Sequence, residues 1–240
     1  MKINEFTSIT TPRILLVPYS AHHVPTYHEW MQDEEIQKAT ASEPLTLEEE
    51  YSMQRSWRKD VDKLTFIVCT HAEGQEYESV APGRQDAPEW MVGDVNLFLY
   101  DDEDEEVDDG QEGEGRAKSV IGELEIMIAR RDQQRKGLAQ ETLRAFISYI
   151  QSSLDSILAE YAGKGVALLK HLRVKIDQDN VQSLKLFERI GFLRTSAEPN
   201  YFGEVELRAP VVGGRLIDVE RKIGLEGFGK VVRYEVDSEQ

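Results

Sequence analysis

Cysteine is almost absent from this chain: its one thiol, Cys69, lies in the strand-like segment LTFIVCT. A single thiol excludes an internal disulfide, and its apolar neighbours predict a core position. Long apolar runs are also missing, since no stretch approaches the roughly 18 residues that a membrane span needs. The first residues lack the order of a signal peptide. We therefore expect no membrane association and a location in the cytosol, or in the cytosol and nucleus.

Basic charge is scarce as well. Lys and Arg number 28 against 45 Asp and Glu, which gives a formal charge of -17 and argues against nucleic acid as a partner. Ten of the carboxylates lie in residues 101–114, DDEDEEVDDGQEGE, a segment without Lys or Arg. Because such a block repels itself, we predict a disordered acidic insertion at residues 101–118. It is either a solvated loop or a tether for a basic protein partner or basic substrate.

No Pro- or Ser-rich linker divides the 240 residues. We therefore predict one elaborated domain over residues 1–214, followed by a C-terminal extension over residues 215–240. Apolar alternation predicts strands at residues 13–20, 64–70, 90–100, 119–129, 168–177 and 201–210. Helical periodicity predicts a helix at 23–39, one capped by Thr46 with Glu49, one continuous helix at 138–161, and one from Asn180 to Gly191.

A basic turn lies between the predicted strand 119–129 and the helix that follows it. The segment RRDQQRKGLAQETLRAF, residues 130–146, gathers Arg130, Arg131, Arg135 and Lys136 around Gly137. Free backbone N–H groups and the positive end of a helix dipole at one place make an anion site. Neither common glycine-rich phosphate fingerprint matches. Residues 134–139 instead have the form [R/Q]-x-x-G-x-[G/A].

A second motif follows about 40 residues later. Residues 180–192, NVQSLKLFERIGF, fit the form N-x-x-[S/A]-x-x-L-[Y/F]-x-x-x-G-F. In order and spacing the two motifs resemble the GNAT superfamily of N-acetyltransferases, and segments such as VPYSAHHVPTYHEWM and MVGDVNLFL resemble its N-acetyltransferase 9-like branch. The departures are Gln134 for the commoner Arg, Ala139 for the second Gly, and the acidic insertion.

The resemblance implies an α/β (α+β) fold with a mixed, mostly antiparallel central sheet flanked by helices. Two parallel strands, 123–129 and 168–177, would splay apart and form a cleft for acetyl-coenzyme A. Pantetheine would bond the backbone of Ile126 and Ile128. Pyrophosphate would bind the turn formed by Gln134, Arg135, Lys136, Gly137, Leu138 and Ala139. Asn180, Ser183 and Phe187 would lie along the pantetheine and thioester, although Asn180 alone can be a helix cap and Phe187 alone a core residue.

Acetyl transfer requires a base for the attacking amine and stabilisation of the oxyanion. Glu123 and Glu125 lie two residues apart on one strand face and are candidate bases; an exposed sheet face is the alternative. Phe187 stands where many relatives have tyrosine and cannot donate a proton to the thiolate. His22, His23 and His28 lack ligand partners at metal spacing, so no metal is expected.

The expected function is therefore acetyl transfer from acetyl-coenzyme A to a primary amine of a protein or peptide, by direct attack in a ternary complex. The alternative is a weakly active scaffold that serves as an interaction module through its acidic loop.

Overall fold

The computed structural model describes residues 1–72, 74–102 and 117–235. The chain forms two compact units: unit 1 comprises Met1–Asn96, Ile126–Phe146 and Gly227–Gln240, and unit 2 comprises Leu97–Glu125 and Ile147–Glu226. The strands are β1 Thr7–Thr10, β2 Ile14–Pro18, β3 Lys63–Thr70, β4 Ser79–Val80, β5 Met91–Asp101, β6 Lys118–Ile128, β7 Ala167–Asp177, β8 Leu193–Arg194, β9 Glu204–Pro210 and β10 Lys230–Tyr234. The helices are α1 Val24–Trp30, α2 Glu34–Thr40, α3 Leu47–Lys59, α4 Leu138–Ser152, α5 Leu154–Ala162, α6 Val181–Ile190 and α7 Ile217–Ile223.

In unit 1 the strands follow the order β4-β10-β1-β2-β3-β5-β6. Strand β1 pairs antiparallel with β10 and β2, β2 pairs antiparallel with β3, and β10 pairs parallel with β4. Strand β2 is buried along its whole length, as a strand covered on both faces must be. Ile67 and Cys69 of β3 belong to the core that includes α1, while Phe66 packs edge-on against Phe146 of α4.

In unit 2 the order is β5-β6-β7-β9-β8. Strand β7 pairs antiparallel with β9, which pairs antiparallel with β8, and β6 pairs parallel with β7. The parallel register runs from Lys118↔Ala167 to Glu123↔Arg173 and stops there. Both strands continue, β6 to Ile128 and β7 to Asp177, so their ladder ends before they do. The expected mixed, mostly antiparallel sheet with flanking helices is confirmed.

Two predicted helices are interrupted. The predicted helix 23–39 is divided into a 3-10 turn, α1 and α2, with Asp33 capping α2 through the backbone N–H of Glu35. The predicted continuous helix 138–161 breaks at Ser153, whose φ of -111° and ψ of 11° lie outside the helical region. Both predictions of a continuous helix were therefore wrong, because the helical spacing of apolar residues persists across a short break in the helix. The capping box of Thr46 and Glu49 is confirmed.

The ends of the predicted acidic insertion belong to the folded hairpin. Asp101 is the last residue of β5 and pairs with Lys118, the first residue of β6, at 2.6 Å. Asp102 is buried and bonded to Lys170 and to the hydroxyl of Ser119. The remaining positions of that prediction, 103–116, lie outside the described residues.

The predicted C-terminal extension contains two regular elements. Helix α7 lies in unit 2, and β10 pairs with β1 from Thr7↔Arg233 to Thr10↔Lys230 in unit 1. Residues 215–235 are therefore part of the two folded units. Sequence reasoning missed β1 and β10 because strands of four and five residues are too short to show a clear alternation of apolar and polar side chains.

Candidate active site

The basic turn links β6 to α4 within unit 1. A 3-10 turn over Arg131–Gln133 leads into residues 134–137, and α4 begins at Leu138. Arg135 and Gly137 have positive φ angles of 58° and 83°. A left-handed arginine is uncommon, and backbone strain of this kind clusters at active sites and ligand-binding turns. The turn therefore has the exposed backbone and helix start that the sequence predicted for an anion site.

The four basic side chains of this segment differ in their partners. Arg130 pairs with Asp132 at 2.9 Å, and Arg131 pairs with Asp33 and Glu35, each at 2.9 Å. Among the described residues, the side chain of Lys136 donates only to the neutral side chain of Gln133, at 3.3 Å. Arg135 has no side-chain partner among the residues that the structure describes. The uncompensated positive charge therefore sits on Arg135 and Lys136, beside Gly137.

A network from the β1–β2 hairpin holds the turn in place. The Arg13 guanidinium donates from Nη1 to the carbonyl oxygen of Lys136 at 2.8 Å and from Nε to Glu141 Oε2 at 2.6 Å. Glu141 Oε1 also accepts from the hydroxyl of Thr11 at 2.6 Å and from the backbone N–H of Arg13 at 3.0 Å. Sequence reasoning missed this network, since Arg13 and Glu141 are far apart in the chain.

The end of β6 approaches β5 closely. A Cβ at Gly93 would lie 1.8 Å from the carbonyl oxygen of Met127, so only glycine fits there. The next two residues of the chain after Ile128, Ala129 and Arg130, both donate to Val92 O, at 2.8 and 3.3 Å. Ile126 and Ile128 are half-buried, and the Gln134 amide donates to Ile128 O at 2.8 Å. The structure thus brings Ile126, Ile128 and residues 134–139 together in unit 1.

The two candidate bases have different surroundings in unit 2. The side chain of Glu123 is 12% exposed, and its Oε2 lies 2.6 Å from Arg173 Nε and 3.5 Å from Lys175 Nζ. Glu125, two residues along the same strand, is exposed. An ion-paired carboxylate has fewer lone pairs free to accept a proton from an amine. Arg173 and Lys175 are partners that the sequence did not indicate.

The three residues expected on the second motif all lie on α6 or at its cap. Asn180 Oδ1 accepts from the backbone N–H of Ser183 at 3.1 Å, so Asn180 caps the helix. Ser183 is half-buried. Phe187 is 3% exposed and packs edge-on against Phe192, with ring centroids 5.3 Å apart. The helix ends at the predicted residue, Gly191, whose φ of 111° makes it a left-handed C-cap.

A buried carboxylate on β5 was not singled out from the sequence. Asp94 is 3% exposed and accepts from the Asn96 amide at 2.8 Å and from the Tyr27 hydroxyl at 3.4 Å. Burial raises the pKa of Asp94 to about 6, and the hydrogen bonds from Asn96 and Tyr27 oppose that shift. Asp94 therefore changes its charge close to neutral pH.

His22 and His23 meet Asp86, which is the one cluster with metal-ligand geometry in the described part of the chain. Asp86 Oδ2 lies 3.0 Å from His22 Nε2 and 3.1 Å from His23 Nε2. However, His23 Nδ1 accepts from the backbone N–H of Ser20 at 3.0 Å, so the ring proton resides on Nε2. Burial lowers the pKa of His23 to about 4, which keeps the ring neutral. His23 therefore donates to Asp86, an arrangement that suits a hydrogen-bond network better than a metal.

No helix within residues 1–72, 74–102 and 117–235 combines the length and the apolar character that crossing a bilayer requires.

Comparison with known proteins identifies the family. Residues 13–193 match the family model described as Acetyltransferase (GNAT) domain. An N-acetyltransferase 9-like protein of Schizosaccharomyces pombe is 40% identical over 219 residues, which cover 86% of this chain and 97% of the relative. Alpha/beta-tubulin-N-acetyltransferase 9 of Drosophila melanogaster is 41% identical over 211 residues, with coverage of 88% and 90%. The chain therefore belongs to the GNAT family of acetyltransferases, in its N-acetyltransferase 9-like branch.

A solved structure agrees with that assignment at the level of the fold. The crystal structure of an aminoglycoside acetyltransferase in complex with coenzyme A superposes with a TM-score of 0.54. It covers 82% of this chain and 94% of its own, at 14% identity.

Proposed function

We propose that this acetyltransferase takes its acetyl group from acetyl-coenzyme A and transfers it to a primary amine of a protein or peptide. The observation that carries the proposal is the turn at residues 134–139, where Arg135 and Gly137 have positive φ angles and α4 begins. Backbone N–H groups at such a helix start, together with the charges of Arg135 and Lys136, suit a pyrophosphate. The coenzyme A complex of the aminoglycoside acetyltransferase supports this donor class.

A protein acceptor is supported by the name of the Drosophila relative, which specifies α- and β-tubulin. We accordingly propose tubulin as the first acceptor to assay, with peptide α-amines and lysine side chains tested separately.

Direct attack in a ternary complex is supported by the position of the thiol. Cys69 is fully buried, and burial raises its pKa well above the ordinary value. A buried, protonated thiol is a poor nucleophile, so Cys69 is unsuited to carry an acetyl group. Amine and thioester would then react directly, with Glu123 as the proposed base and Glu125 as its substitute or as the group that holds the amine. Since Phe187 cannot donate a proton, the thiolate would be protonated by water.

The test is an assay of coenzyme A release with acetyl-coenzyme A and purified tubulin, followed by mass spectrometry of the acetylated sites. Varying both substrates should give intersecting double-reciprocal lines, which a ternary complex predicts; parallel lines would indicate an acetyl-enzyme and contradict direct attack. If acetyl-coenzyme A binds but no amine among tubulin and a peptide library is acetylated, the proposed acceptor class is wrong.

A further inference from the structure

A pocket in unit 1, apart from the basic turn at residues 134–139, is lined by several positively charged side chains. Its volume is about 250 Å³, and it lies where the end of α3 meets residues that follow β2 and residues near the first strand. Six of the side chains that line it carry or can carry charge: Lys2, Glu5, His22, Arg55, Arg58 and Lys59. One carboxylate among four cations and a histidine is unexpected in a chain with a formal charge of -17.

Two of these cations lack a carboxylate partner. Arg55 is exposed, and within the part of the chain that the structure describes its side chain donates only to the hydroxyl of Ser52, at 2.8 Å. Lys59 is exposed and has no ion pair among the residues that the structure describes. Arg58 is oriented by a bond to Asn4 Oδ1 at 2.8 Å. Positive charges in the last turn of α3 are stabilised by the negative end of the helix dipole. Arg55 lies a turn earlier, beyond the reach of that effect, so the dipole does not explain its position.

His22 is held toward the pocket by a buried anion. Asp86 is fully buried and accepts from His22, from His23 and from the Tyr234 hydroxyl, the last at 2.7 Å. These hydrogen bonds outweigh the desolvation that burial imposes and lower the pKa of Asp86, so it is ionised. The other ring nitrogen of His22, Nδ1, has no partner among the described residues. Because Nε2 carries the ring proton in its bond to Asp86, Nδ1 of the neutral ring is an acceptor, and the donors to an anion in the pocket are its Arg and Lys side chains.

The pocket is separate from the turn at residues 134–139. Arg13, which contacts that turn, comes just before β2, whereas Ser20 and His22 of the pocket come after it. The five residues of β2 span about 16 Å, so the two sites lie at opposite ends of one strand. A ligand in the pocket would leave the turn accessible.

We propose that this basic pocket binds an acidic segment of a protein partner through the carboxylate side chains of that segment. Arg55 and Lys59 are four residues apart on α3, which places their Cβ atoms about 5–6 Å apart. Side chains at alternate positions of an extended peptide are spaced about 6.6 Å, so two acidic residues separated by one other can reach both cations. A long polyanion such as nucleic acid is disfavoured because the chain as a whole carries a formal charge of -17.

The test measures binding directly and requires no acetyl transfer, so its outcome is independent of the proposed function. A fluorescent eight-residue peptide of alternating Glu and Ala is titrated with the full chain, and the same peptide with Gln for Glu is the probe control. The double variant Arg55→Glu and Lys59→Glu should weaken the Kd of the Glu peptide at least tenfold. The matched control, Lys185→Glu and Arg189→Glu, reverses two exposed charges at the same spacing on α6 and should change the Kd less than twofold.

Equal weakening in both double variants would show a nonspecific charge effect and overturn the proposal. So would binding of inorganic phosphate at the pocket with no binding of the Glu peptide, since that would make it a phosphate site. Because Arg55 and Lys59 are exposed, their replacement should leave the circular dichroism spectrum and the acetyl-coenzyme A response unchanged. Loss of either would identify a structural role and contradict a docking role.

Discussion

The guanidinium of Arg13 lies 2.6 Å from the carboxylate of Glu141 and, at the same time, donates to the carbonyl oxygen of Lys136. A residue just before β2 therefore fixes the backbone of the turn next to Gly137. A Cβ at Gly137 would stand 3.4 Å from Arg13 Nη2, which shows how close the guanidinium is to the proposed pyrophosphate position.

Glu141→Gln tests whether the ion pair with Glu141 holds Arg13 in place against the turn at residues 134–139. The variant keeps the charge of Arg13 but removes its anionic partner, so the turn should loosen. We expect the Kd for acetyl-coenzyme A to weaken about tenfold, the scale of one charge-assisted hydrogen bond, when measured by calorimetry. Arg131→Gln is the control, because it breaks an exposed pair with Asp33 and Glu35. Comparable losses in both variants would argue against a specific role for the pair.

Gly137→Glu tests the turn itself. The new carboxylate would lie at the proposed pyrophosphate position and repel it, and the positive φ of 83° adds backbone strain. Acetyl-coenzyme A should raise the Tm of the wild type and leave that of the variant unchanged. Gly213→Glu is the matched control, since Gly213 also has a positive φ and open space around it. A full Tm shift in the Gly137 variant would show that the turn is not part of the acetyl-coenzyme A site.

Glu123→Gln tests the proposed base. Glutamine keeps the size of the side chain but cannot accept the proton, so kcat should fall by roughly a hundredfold while acetyl-coenzyme A still binds. The defect should shrink as pH rises, because more of the acceptor amine is then already neutral. The pH profile of kcat decides this, with Glu125→Gln measured alongside. Near-equal rates at neutral pH would exclude Glu123 and leave its ion pair with Arg173 as a structural contact.

Asp94→Asn tests the buried carboxylate through the pH dependence of stability. The folded-state pKa of Asp94, about 6, lies above its ordinary value of 3.8, so the ionised form destabilises the fold above pH 6. That penalty disappears as pH falls toward 4. The variant should therefore be more stable than the wild type at pH 8, by on the order of 2 kcal/mol, and this advantage should shrink by pH 4.5. Urea unfolding at both pH values is the measurement, and a pH-independent difference would contradict the assignment.

Two deletions test the borders of the acidic segment. Removal of residues 103–116 with a short Gly/Ser replacement should change the Tm by less than about 3 °C, since loop length costs little. Removal of residues 101–116 should lower the Tm distinctly. It eliminates the bonds of Asp101 to Lys118 and Tyr161, and those of Asp102 to Lys170 and Ser119. Equal effects of the two deletions would show that these bonds contribute nothing to stability.

The features that the sequence predicted well are local ones. Asn180 caps α6 with a bond to Ser183, three residues away, and Gly191 ends that helix as expected. The contacts that sequence reasoning missed join distant residues: Glu123 with Arg173, and Arg13 with Glu141. Periodicity within one segment carries no information about such pairs.

In the candidate site, too, local features were predicted and contacts between distant residues were missed. The basic turn was visible because strand, glycine and helix start are adjacent in the chain, whereas the partners of its charges were not. Arg131 is neutralised by Asp33 and Glu35, which come from a different part of the chain, so the basic turn carries less net positive charge than its sequence indicates. Asp86 likewise joins His22 and His23 only in the folded unit.

The pairing of β1 with β10 has a consequence for biosynthesis. Thr7 is synthesised long before Arg233, yet the two are register partners in unit 1. While the ribosome makes the intervening chain, the outer edge of β1 stays open, and open strand edges invite pairing with other chains. Tyr234, the last residue of β10, also supplies a hydroxyl to the buried carboxylate of Asp86. Unit 1 can therefore close only after β10 has been synthesised, and termination before β10 would release a nascent chain prone to aggregation.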